Sequence, residues 1–195
     1  GVNFAVFYGG ERGTLARYPN EQFVLGFNYS DSEITSNYDL STNTFYDKSQ
    51  VVKTWKSVEG VQIKGNFEID WSMSPATNLV SYDASTNRVK VENVSVNGIS
   101  GRYYYSNAVE EIDMVGEYYV DRENGILYFY APENYCDIRI SVPKTDVLIS
   151  FDSADNITLD GIVIENCKAE SGVLIGYTGQ ESSIGTFAGT INGII

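Results

Sequence analysis

Histidine is absent from the 195 residues of this chain. Without an imidazole, the chain has no Ser-His-Asp triad, no histidine general base and no ordinary zinc site. Most hydrolytic templates are thereby excluded. Chemistry that relies on carboxylates alone stays possible.

Cysteine and long apolar runs are also scarce. Cys136 and Cys167 are the two cysteines, which either form one disulfide or remain two small buried hydrophobic residues; we expect reduced thiols. No apolar run approaches the roughly 20 residues of a membrane-spanning helix, so we expect no membrane span. The sequence begins at Gly1 rather than Met and shows no signal-peptide pattern, so we expect a mature or trimmed protein.

Basic residues are few, with 13 Lys and Arg against 26 Asp and Glu and a formal charge of -13. Such a charge repels phosphate backbones, because nucleic-acid binding depends on Lys and Arg. We therefore expect no nucleic-acid partner. Among carbohydrates, the charge favours a neutral glycan over a polyanion such as pectin or heparin, unless calcium or a local basic patch intervenes. No residue pattern indicates a cofactor.

Residues typical of strands and turns are abundant. The chain contains 15 Tyr, 9 Phe and 18 Gly, with many Asn, Ser, Thr, Val and Ile, and these favour pleated strands joined by tight turns. No stretch carries apolar residues at helical spacing over three turns. The sequence therefore predicts an all-β chain, long enough for one large domain or two small ones.

Local patterns predict two hairpins. Residues 79–82 and 88–91 are strand-like runs on either side of a polar stretch. Residues 116–121 and 126–130 flank a second turn, where Asn124-Gly125 readily takes the positive φ that a tight turn demands. Residues 61–64 and 67–71 alternate as strands with one buried face, whereas the polar residues 28–49 predict a long surface loop with at most short strands.

From residue 137 the chain consists of short Val, Leu and Ile runs separated by Asn, Asp and Gly. The gaps are too short for crossover helices, so strands that stack coil on coil are the simplest arrangement. Coils of roughly 20 to 29 residues would give about two coils in residues 145–195. Because about three are needed for stability and the sequence ends within the apolar run 190–195, we expect truncation from a longer parent.

Four segments form an ordered set along the chain: GTLARYPN (13–20), GNFEIDW (65–71), NAVEEIDMVGEYYVDRENGILYFY (107–130) and NITLDGIVIEN (156–166). Together they resemble bacterial right-handed parallel β-helix proteins of the pectin lyase-like type. Some of these are glycoside hydrolases of the β-xylosidase, α-galactosidase and α-fucosidase type, with a β-rich domain inserted before or among the first coils. Catalytic carboxylates of such relatives lie on later coils, so the resemblance assigns no catalytic residue here.

The resemblance implies a β-sandwich or barrel-like β domain that leads into the first coils of a right-handed parallel β-helix. Residues 1–136 would form the β domain, residues 137–195 the coils, and residues 1–27 could pair with the cap of the β-helix. It also implies a carbohydrate partner and an extracellular or cell-surface location.

Carboxylates are the candidate catalytic or sugar-binding groups, because glycoside hydrolysis needs two of them roughly 5 to 10 Å apart across the sugar. Glu68 and Asp70 lie beside Trp71. On a strand they point to one face and Trp71 to the other, and we favour a solvated polar face over a sugar-contacting role for Asp70 and Trp71. A second acidic cluster comprises Glu110, Glu111, Asp113 and Glu117.

Tyrosines and two arginines are the other candidates for a ligand surface. Aromatic faces suit the C–H surfaces of sugars, but alternating tyrosines more often pack as cross-strand pairs, which we favour. Arg17 and Arg102 either pair with carboxylates, which we also favour, or approach a ligand. The tyrosines are Tyr103, Tyr104, Tyr105, Tyr118, Tyr119, Tyr128 and Tyr130. The candidate substrate-binding residues are thus Asp70, Trp71, Arg17, Glu68 and Tyr104.

Hard oxygen ligands for calcium occur at Asp152, Asp155 and Asn156. They lack the spaced Asp and Gly pattern of a calcium loop. We predict no metal site.

Three functions fit these observations. In the first, the chain is a scaffold of an extracellular β-helix glycoside hydrolase that could also form one wall of the substrate groove, and it is inactive as this fragment. Alternatively, it is a carbohydrate-binding module that uses Trp71 and the tyrosines, or a structural cell-surface module whose tyrosines are all buried.

Overall fold

The computed structural model describes residues 4–25, 38–39, 41–65, 76–92, 102–144, 148–152, 156–162, 165–166 and 173–176. Within these ranges the regular elements are strands and short 3-10 turns, and no α-helix occurs among them. The all-β prediction is confirmed. No helix in this described part is long and apolar enough to cross a membrane.

The strands are β1 (Phe7–Tyr8), β2 (Glu11–Arg12), β3 (Thr14–Leu15), β4 (Arg17–Tyr18), β5 (Val24–Leu25), β6 (Tyr38–Asp39), β7 (Thr44–Tyr46), β8 (Gln62–Gly65), β9 (Thr77–Asp83), β10 (Arg88–Val91), β11 (Arg102–Ser106), β12 (Glu117–Asp121), β13 (Ile126–Phe129), β14 (Ile140–Ser141), β15 (Ile149–Asp152) and β16 (Val173–Gly176). The 3-10 turns are Val52–Thr54, Val109–Glu111 and Tyr135–Asp137.

The chain forms two compact units. One consists of residues 1–13 and 134–195, and the other of residues 14–133. Strand β1 belongs to the first unit and pairs antiparallel with β14, with Phe7 opposite Ser141. The proposed domain division after residue 136 and the pairing of residues 1–27 with a β-helix cap stay predictions.

The largest sheet lies in the unit of residues 14–133 and has eight strands. Their order is β4-β11-β8-β9-β10-β7-β6, with β5 also paired to β11, and all of these pairs are antiparallel. The first predicted hairpin is confirmed, since β9 pairs with β10 and Asp83 lies opposite Arg88. The predicted strand at residues 61–64 is β8.

The hairpin predicted around Asn124-Gly125 is also present. Strands β12 and β13 pair antiparallel with Asp121 opposite Ile126, so residues 122–125 form the loop. Gly125 has a φ of 68°, which glycine adopts without steric cost. The Asp121 carboxylate accepts the Asn124 N–H at 3.0 Å. Strand β3 joins this hairpin in parallel.

A parallel strand pair lies in the unit that contains the C-terminal part. Strand β15 pairs with β16, and each residue lies opposite the residue 24 positions later, from Ile149 with Val173 to Asp152 with Gly176. The apolar runs at 149–151 and 173–175 therefore lie side by side and run in the same direction.

Two buried residues of the unit of residues 14–133 come from a stretch that the sequence predicts to lie at the surface. Strands β6 and β7 are short, as predicted for residues 28–49. Phe45 on β7 is 1% exposed and Asp47 is 0% exposed, so the predicted surface position is wrong for these two residues. The polar composition hides a short strand with one buried aromatic residue. Residues 26–37 and 40 lie outside the described ranges. The buried core comprises Phe45, Val52, Trp55, Val61, Ile63, Leu79, Val89, Val91, Tyr103, Tyr105 and Ala108.

Asp47 joins the end of β7 to the middle of β11. Its Oδ1 accepts the Tyr103 hydroxyl at 3.2 Å and the Tyr105 hydroxyl at 3.1 Å. The same oxygen accepts the Ser49 hydroxyl at 2.6 Å, and Oδ2 accepts the Val52 N–H at 3.3 Å. Burial, followed by the nearby Asp47 charge, raises the pKa of Tyr103, so its hydroxyl stays protonated as a donor.

Gly65 allows β8 and β11 to approach each other closely. A Cβ atom at this position would lie 2.6 Å from the carbonyl oxygen of Arg102 and 2.7 Å from the Cβ of Tyr103. Both contacts are shorter than real Cβ atoms show, and the first involves backbone. A side chain at Gly65 would therefore push the two strands apart.

We expect Asp47→Ala to destabilise the protein by about 2–6 kcal/mol, because two buried tyrosine hydroxyls lose their acceptor at ~1–3 kcal/mol each. Chemical denaturation measures the loss. The matched control is Asp83→Ala. Exposed Asp83 accepts the Ser85 N–H and hydroxyl, as Asp47 does from Ser49, but its described hydrogen bonds include no tyrosine hydroxyl. Equal losses in the two variants would show that the tyrosines contribute nothing.

We expect Gly65→Ala to lower the free energy of unfolding by about 1–3 kcal/mol, the usual cost of overpacking. The control is Lys90→Ala on the exposed side of β10, which removes a side chain from a strand without crowding a neighbour. A Gly65→Ala protein as stable as this control would contradict the close approach.

Candidate functional site

The side chains of β11 divide between the core and the opposite face of the sheet. Tyr103 and Tyr105 point into the core, at 1% and 0% exposure. Because side chains alternate along a strand, Arg102 and Tyr104 point the other way. Residues directly opposite each other on paired strands share a face. We call this side of β11 and its neighbours the outer face, formed by Arg17, Phe23, Lys64, Arg102 and Tyr104.

Strand register brings the members of the outer face together. Arg17 on β4 lies opposite Ser106, and Lys64 on β8 lies opposite Tyr104. On β5, Leu25 lies opposite Arg102 and is 75% exposed. Three separate segments of the chain therefore supply one surface.

Two guanidinium groups and two aromatic rings stack on the outer face. The Arg17 Cζ lies 4.1 Å from the Tyr104 ring centroid and 5.4 Å from that of Phe23. The Arg102 Cζ lies 4.4 Å from the Phe23 centroid, and the Phe23 and Tyr104 centroids are 5.7 Å apart. The three distances from an arginine Cζ to a ring centroid fall within the range of favourable cation–π contact.

Arg17 is held from several sides. Its guanidinium donates a hydrogen bond to the backbone carbonyl of Gln22. The Nε atom of Arg17 is buried and has no hydrogen-bond partner. The guanidinium is thus oriented by rings and backbone while one of its donors is unused.

The structure unites two of the five predicted substrate-binding residues, Arg17 and Tyr104. Glu68, Asp70 and Trp71 lie outside the described residues, so their part in a site stays a prediction. For Arg17, the favoured pairing with a carboxylate is replaced by stacking on aromatic rings among the contacts that the structure describes.

The second acidic cluster has structural roles. Glu111 Oε1 accepts the Trp55 indole N–H at 2.6 Å. Glu117 Oε2 accepts the N–H groups of Asp113 and Met114, each at 2.9 Å. Glu110 accepts the Lys56 N–H and Asp113 accepts the Asn20 side-chain amide, at 2.8 and 2.7 Å.

Burial changes the acidity of two members of that cluster. It raises the pKa of Glu111, with the Trp55 hydrogen bond acting in the opposite direction and nearby carboxylates adding to the rise. Burial likewise raises the pKa of Glu117, against the effect of its backbone hydrogen bonds. Each carboxylate accepts a buried or backbone donor, which is the arrangement expected of groups that hold local structure.

The tyrosines divide between packing and exposure. Tyr103, Tyr105 and Tyr118 are buried. Tyr119 and Tyr128 form a cross-strand pair with centroids 6.0 Å apart. The packing interpretation holds for these five, although Tyr128 also exposes 43% of its surface, as Tyr130 exposes 45%.

No group of three or more acidic or cysteine side chains that could hold a metal ion occurs within the described ranges. Of the predicted oxygen ligands, Asp155 lies outside them. Cys136 is exposed and free, and Cys167 is not among the described residues.

Comparison with known proteins gives a likeness of fold. No family model matches this chain, and no curated protein matches it. It is similar to a solved structure described as a glycoside hydrolase, with a TM-score of 0.55 and 13% sequence identity. The alignment covers 75% of this chain and 27% of that chain, so the chain spans about a quarter of its neighbour's length.

Phe23 and Lys64 belong to the outer face, and sequence reasoning missed both. Phe23 lies two positions before the exposed Leu25 on β5, and Lys64 alternates with buried Ile63 on β8. Alternation predicts the outward direction of such side chains. It does not tell which strands are neighbours, and the neighbours here are distant in sequence.

We expect the stability of the wild-type protein, relative to Glu111→Gln, to be greater near pH 4 than at pH 7. A carboxyl group whose folded pKa is raised contributes stability below its unfolded pKa and loses it as pH rises through the folded value. The amide keeps an acceptor oxygen for Trp55 without titrating. Thermal unfolding of both proteins across pH 4–7 measures the difference.

Glu59→Gln is the matched control, because it removes an exposed carboxylate and the same formal charge. Its stability relative to the wild type should change less between pH 4 and 7 than that of Glu111→Gln. A Glu111→Gln difference that is constant across this range would contradict the burial effect.

Proposed function

We propose that this chain is the scaffold, and one wall of the substrate groove, of an extracellular carbohydrate-processing β-helix protein of glycoside hydrolase type. The observation that carries the proposal is the likeness of fold to a glycoside hydrolase over 75% of the chain. The extracellular location rests on the resemblance of the four sequence motifs.

The β-helix part of the proposal is supported by the pairing of β15 with β16. Successive strands of a coil ladder run parallel and are separated by the length of one coil. The observed offset of 24 residues lies within the roughly 20 to 29 residues of other solenoids. An antiparallel arrangement of these strands would have argued against coils.

Under this proposal, the chain on its own has no catalytic activity. In the described part, the carboxylates Glu111 and Glu117 accept hydrogen bonds from the Trp55 indole and from backbone N–H groups. A glycosidase needs two carboxylates placed on either side of a sugar. Groups committed to internal donors do not offer that arrangement, and the resemblance places catalytic carboxylates on later coils.

The outer face supplies the groove wall. Tyr104 is half-buried and stacks against Arg17, so its ring is already ordered before a ligand arrives. Ordered aromatic and polar side chains bind sugars with a smaller loss of side-chain entropy. The whole-chain charge of -13 favours a glycan whose backbone is neutral.

A non-catalytic binding module at the cell surface is the second candidate. The observation that favours it is the pair of exposed tyrosines on the β13 side of the second hairpin, Tyr128 and Tyr130, at 43% and 45% exposure. Such rings suit sugar stacking and lie on a different sheet from Tyr104.

Two measurements on the same preparation test the proposal: glycan-array binding, and hydrolysis of aryl β-xylosides and α-galactosides. We expect glycan binding without hydrolysis. Tyr104→Ala should weaken binding by about three- to tenfold, because an aromatic contact contributes ~0.5–1.5 kcal/mol. Tyr135→Ala is the control, since Tyr135 is 63% exposed and belongs to the other unit.

Each other outcome contradicts a stated part of the proposal. Robust turnover would show that the chain is itself catalytic. A loss of binding in Tyr130→Ala but not in Tyr104→Ala would favour the binding module. A blank array would contradict carbohydrate contact altogether and leave a structural role.

A further inference from the structure

Cations are concentrated on the outer face although the chain as a whole is acidic. Arg17, Lys64 and Arg102 lie there, three of the 13 basic residues in a chain of charge -13. They surround Tyr104 and Phe23 on three adjoining strands. Arg17 and Lys64 therefore both adjoin Tyr104, which places local positive charge on an acidic chain.

Two carboxylates in the described part of this unit, Glu92 and Glu117, bind other donors. Glu92 accepts the Asn78 side-chain amide at 2.8 Å, and Asn78 lies opposite Gln62 on β8. Glu117 accepts the backbone N–H groups of Asp113 and Met114. Among the described contacts, Arg17 has aromatic rings and one carbonyl as neighbours, and no carboxylate pairs with its guanidinium.

The geometry of Arg17 suits recognition of an oxyanion. The Arg17 guanidinium lies over the rings of Tyr104 and Phe23. Its Nε atom is buried and its Nη2 atom donates to the Gln22 carbonyl, so Nη1 is the nitrogen that has no described hydrogen bond. Hydrogen bonds from such a cation to an anionic oxygen are shorter and stronger than bonds between neutral groups. The side chain is held by Tyr104, Phe23 and the Gln22 carbonyl, so little rotamer freedom is left to lose on binding.

We propose that the outer face binds a mostly neutral glycan through one anionic substituent, a carboxylate or a sulfate ester, with Arg17 as the anchor and Lys64 beside it. Tyr104 and Phe23 present ring edges and faces to the sugar next to that substituent. This inference rests on the proposed function, because it names the chemical class of glycan that the same face takes.

A glycan with one negative charge is favoured over a polyanionic glycan. Charges separated by more than about 8–10 Å are largely screened at physiological salt, so the outer face attracts an anion at contact range. A densely charged polymer also meets the remaining acidic surface and is repelled by the net charge. The outer face therefore selects a sparsely acidic glycan against both a neutral glycan and a polyanion.

Calorimetric titration with matched oligosaccharides tests the inference. One pair is a xylo-oligosaccharide with and without a single glucuronic acid branch, and the other is a galacto-oligosaccharide with and without one sulfate ester. We expect the charged member of at least one pair to bind about tenfold or more tightly than its neutral partner. Which pair shows the difference identifies the source of the anion. Oligogalacturonate of the same length should bind more weakly than the singly charged member.

Variants locate the effect on the outer face. Arg17→Lys keeps the charge but loses the planar fork, and should reduce the preference for the charged member by about tenfold. Lys64→Gln should reduce it by about two- to fivefold. Lys90→Gln, which removes an exposed cation from β10, should leave it unchanged. Thermal unfolding shows whether each variant is folded. If Arg17→Lys does not fold, Lys64→Gln still tests the inference.

The outcomes separate this inference from the proposed function. Equal binding of charged and neutral members contradicts the inference and leaves carbohydrate binding intact. Binding of no oligosaccharide contradicts both. Tightest binding of oligogalacturonate contradicts selection for a single charge. A preference that survives both Arg17→Lys and Lys64→Gln contradicts binding of the anion by these two residues.

Discussion

The buried carboxylate of Asp47 is the constraint on which the larger unit depends. It accepts hydrogen bonds from Tyr103 and Tyr105, two residues on the same side of β11. Because side chains alternate along a strand, fixing these two inward fixes Arg102 and Tyr104 outward. A shift of the β11 register by one residue would turn Tyr104 into the core. The Arg17 guanidinium would then lack the Tyr104 ring as a neighbour. The core contact therefore determines the composition of the outer face.

The same strand also links two different electrostatic environments. Inside, an acidic group is satisfied by hydroxyl and backbone donors, and burial raises the pKa of Tyr105 well above its ordinary value. Outside, aromatic quadrupoles attract the guanidinium groups of Arg17 and Arg102, which keep their positive charge. A strand with acid on one side and cations on the other can carry a local positive surface in a chain whose net charge is strongly negative.

Sequence reasoning succeeded where structure is local. Both hairpins and β8 follow from alternation and turn residues such as Gly125, which involve neighbours in the chain. The sequence did not single out Asp47, because its turn resembles two other turns of the chain. Asp39, Asp47 and Asp83 each accept the hydroxyl of a serine two positions later. Burial of one of the three depends on where β7 lies relative to β11, and no local pattern encodes that.

The candidate site was predictable in part for the same reason. Arg17 and Tyr104 were identified as residue types suited to a ligand, but their contact depends on β4 pairing with β11 across more than 80 positions of sequence. Phe23 and Lys64 join through two further strand pairs. Composition indicated a neutral ligand because it sums the charge over the whole chain, whereas a binding face is defined by the few side chains that the sheet brings together.

Nuclear magnetic resonance titration with an acid-branched xylo-oligosaccharide tests the central claim most directly, since it reports which residues meet the glycan. Side-chain signals of Arg17, Phe23 and Tyr104 should shift together with a single affinity, while those of buried Tyr103 and Tyr105 change little. Shifts confined to Tyr128 and Tyr130, or no shifts at saturating ligand, would show that the outer face of β11 is not where carbohydrate binds.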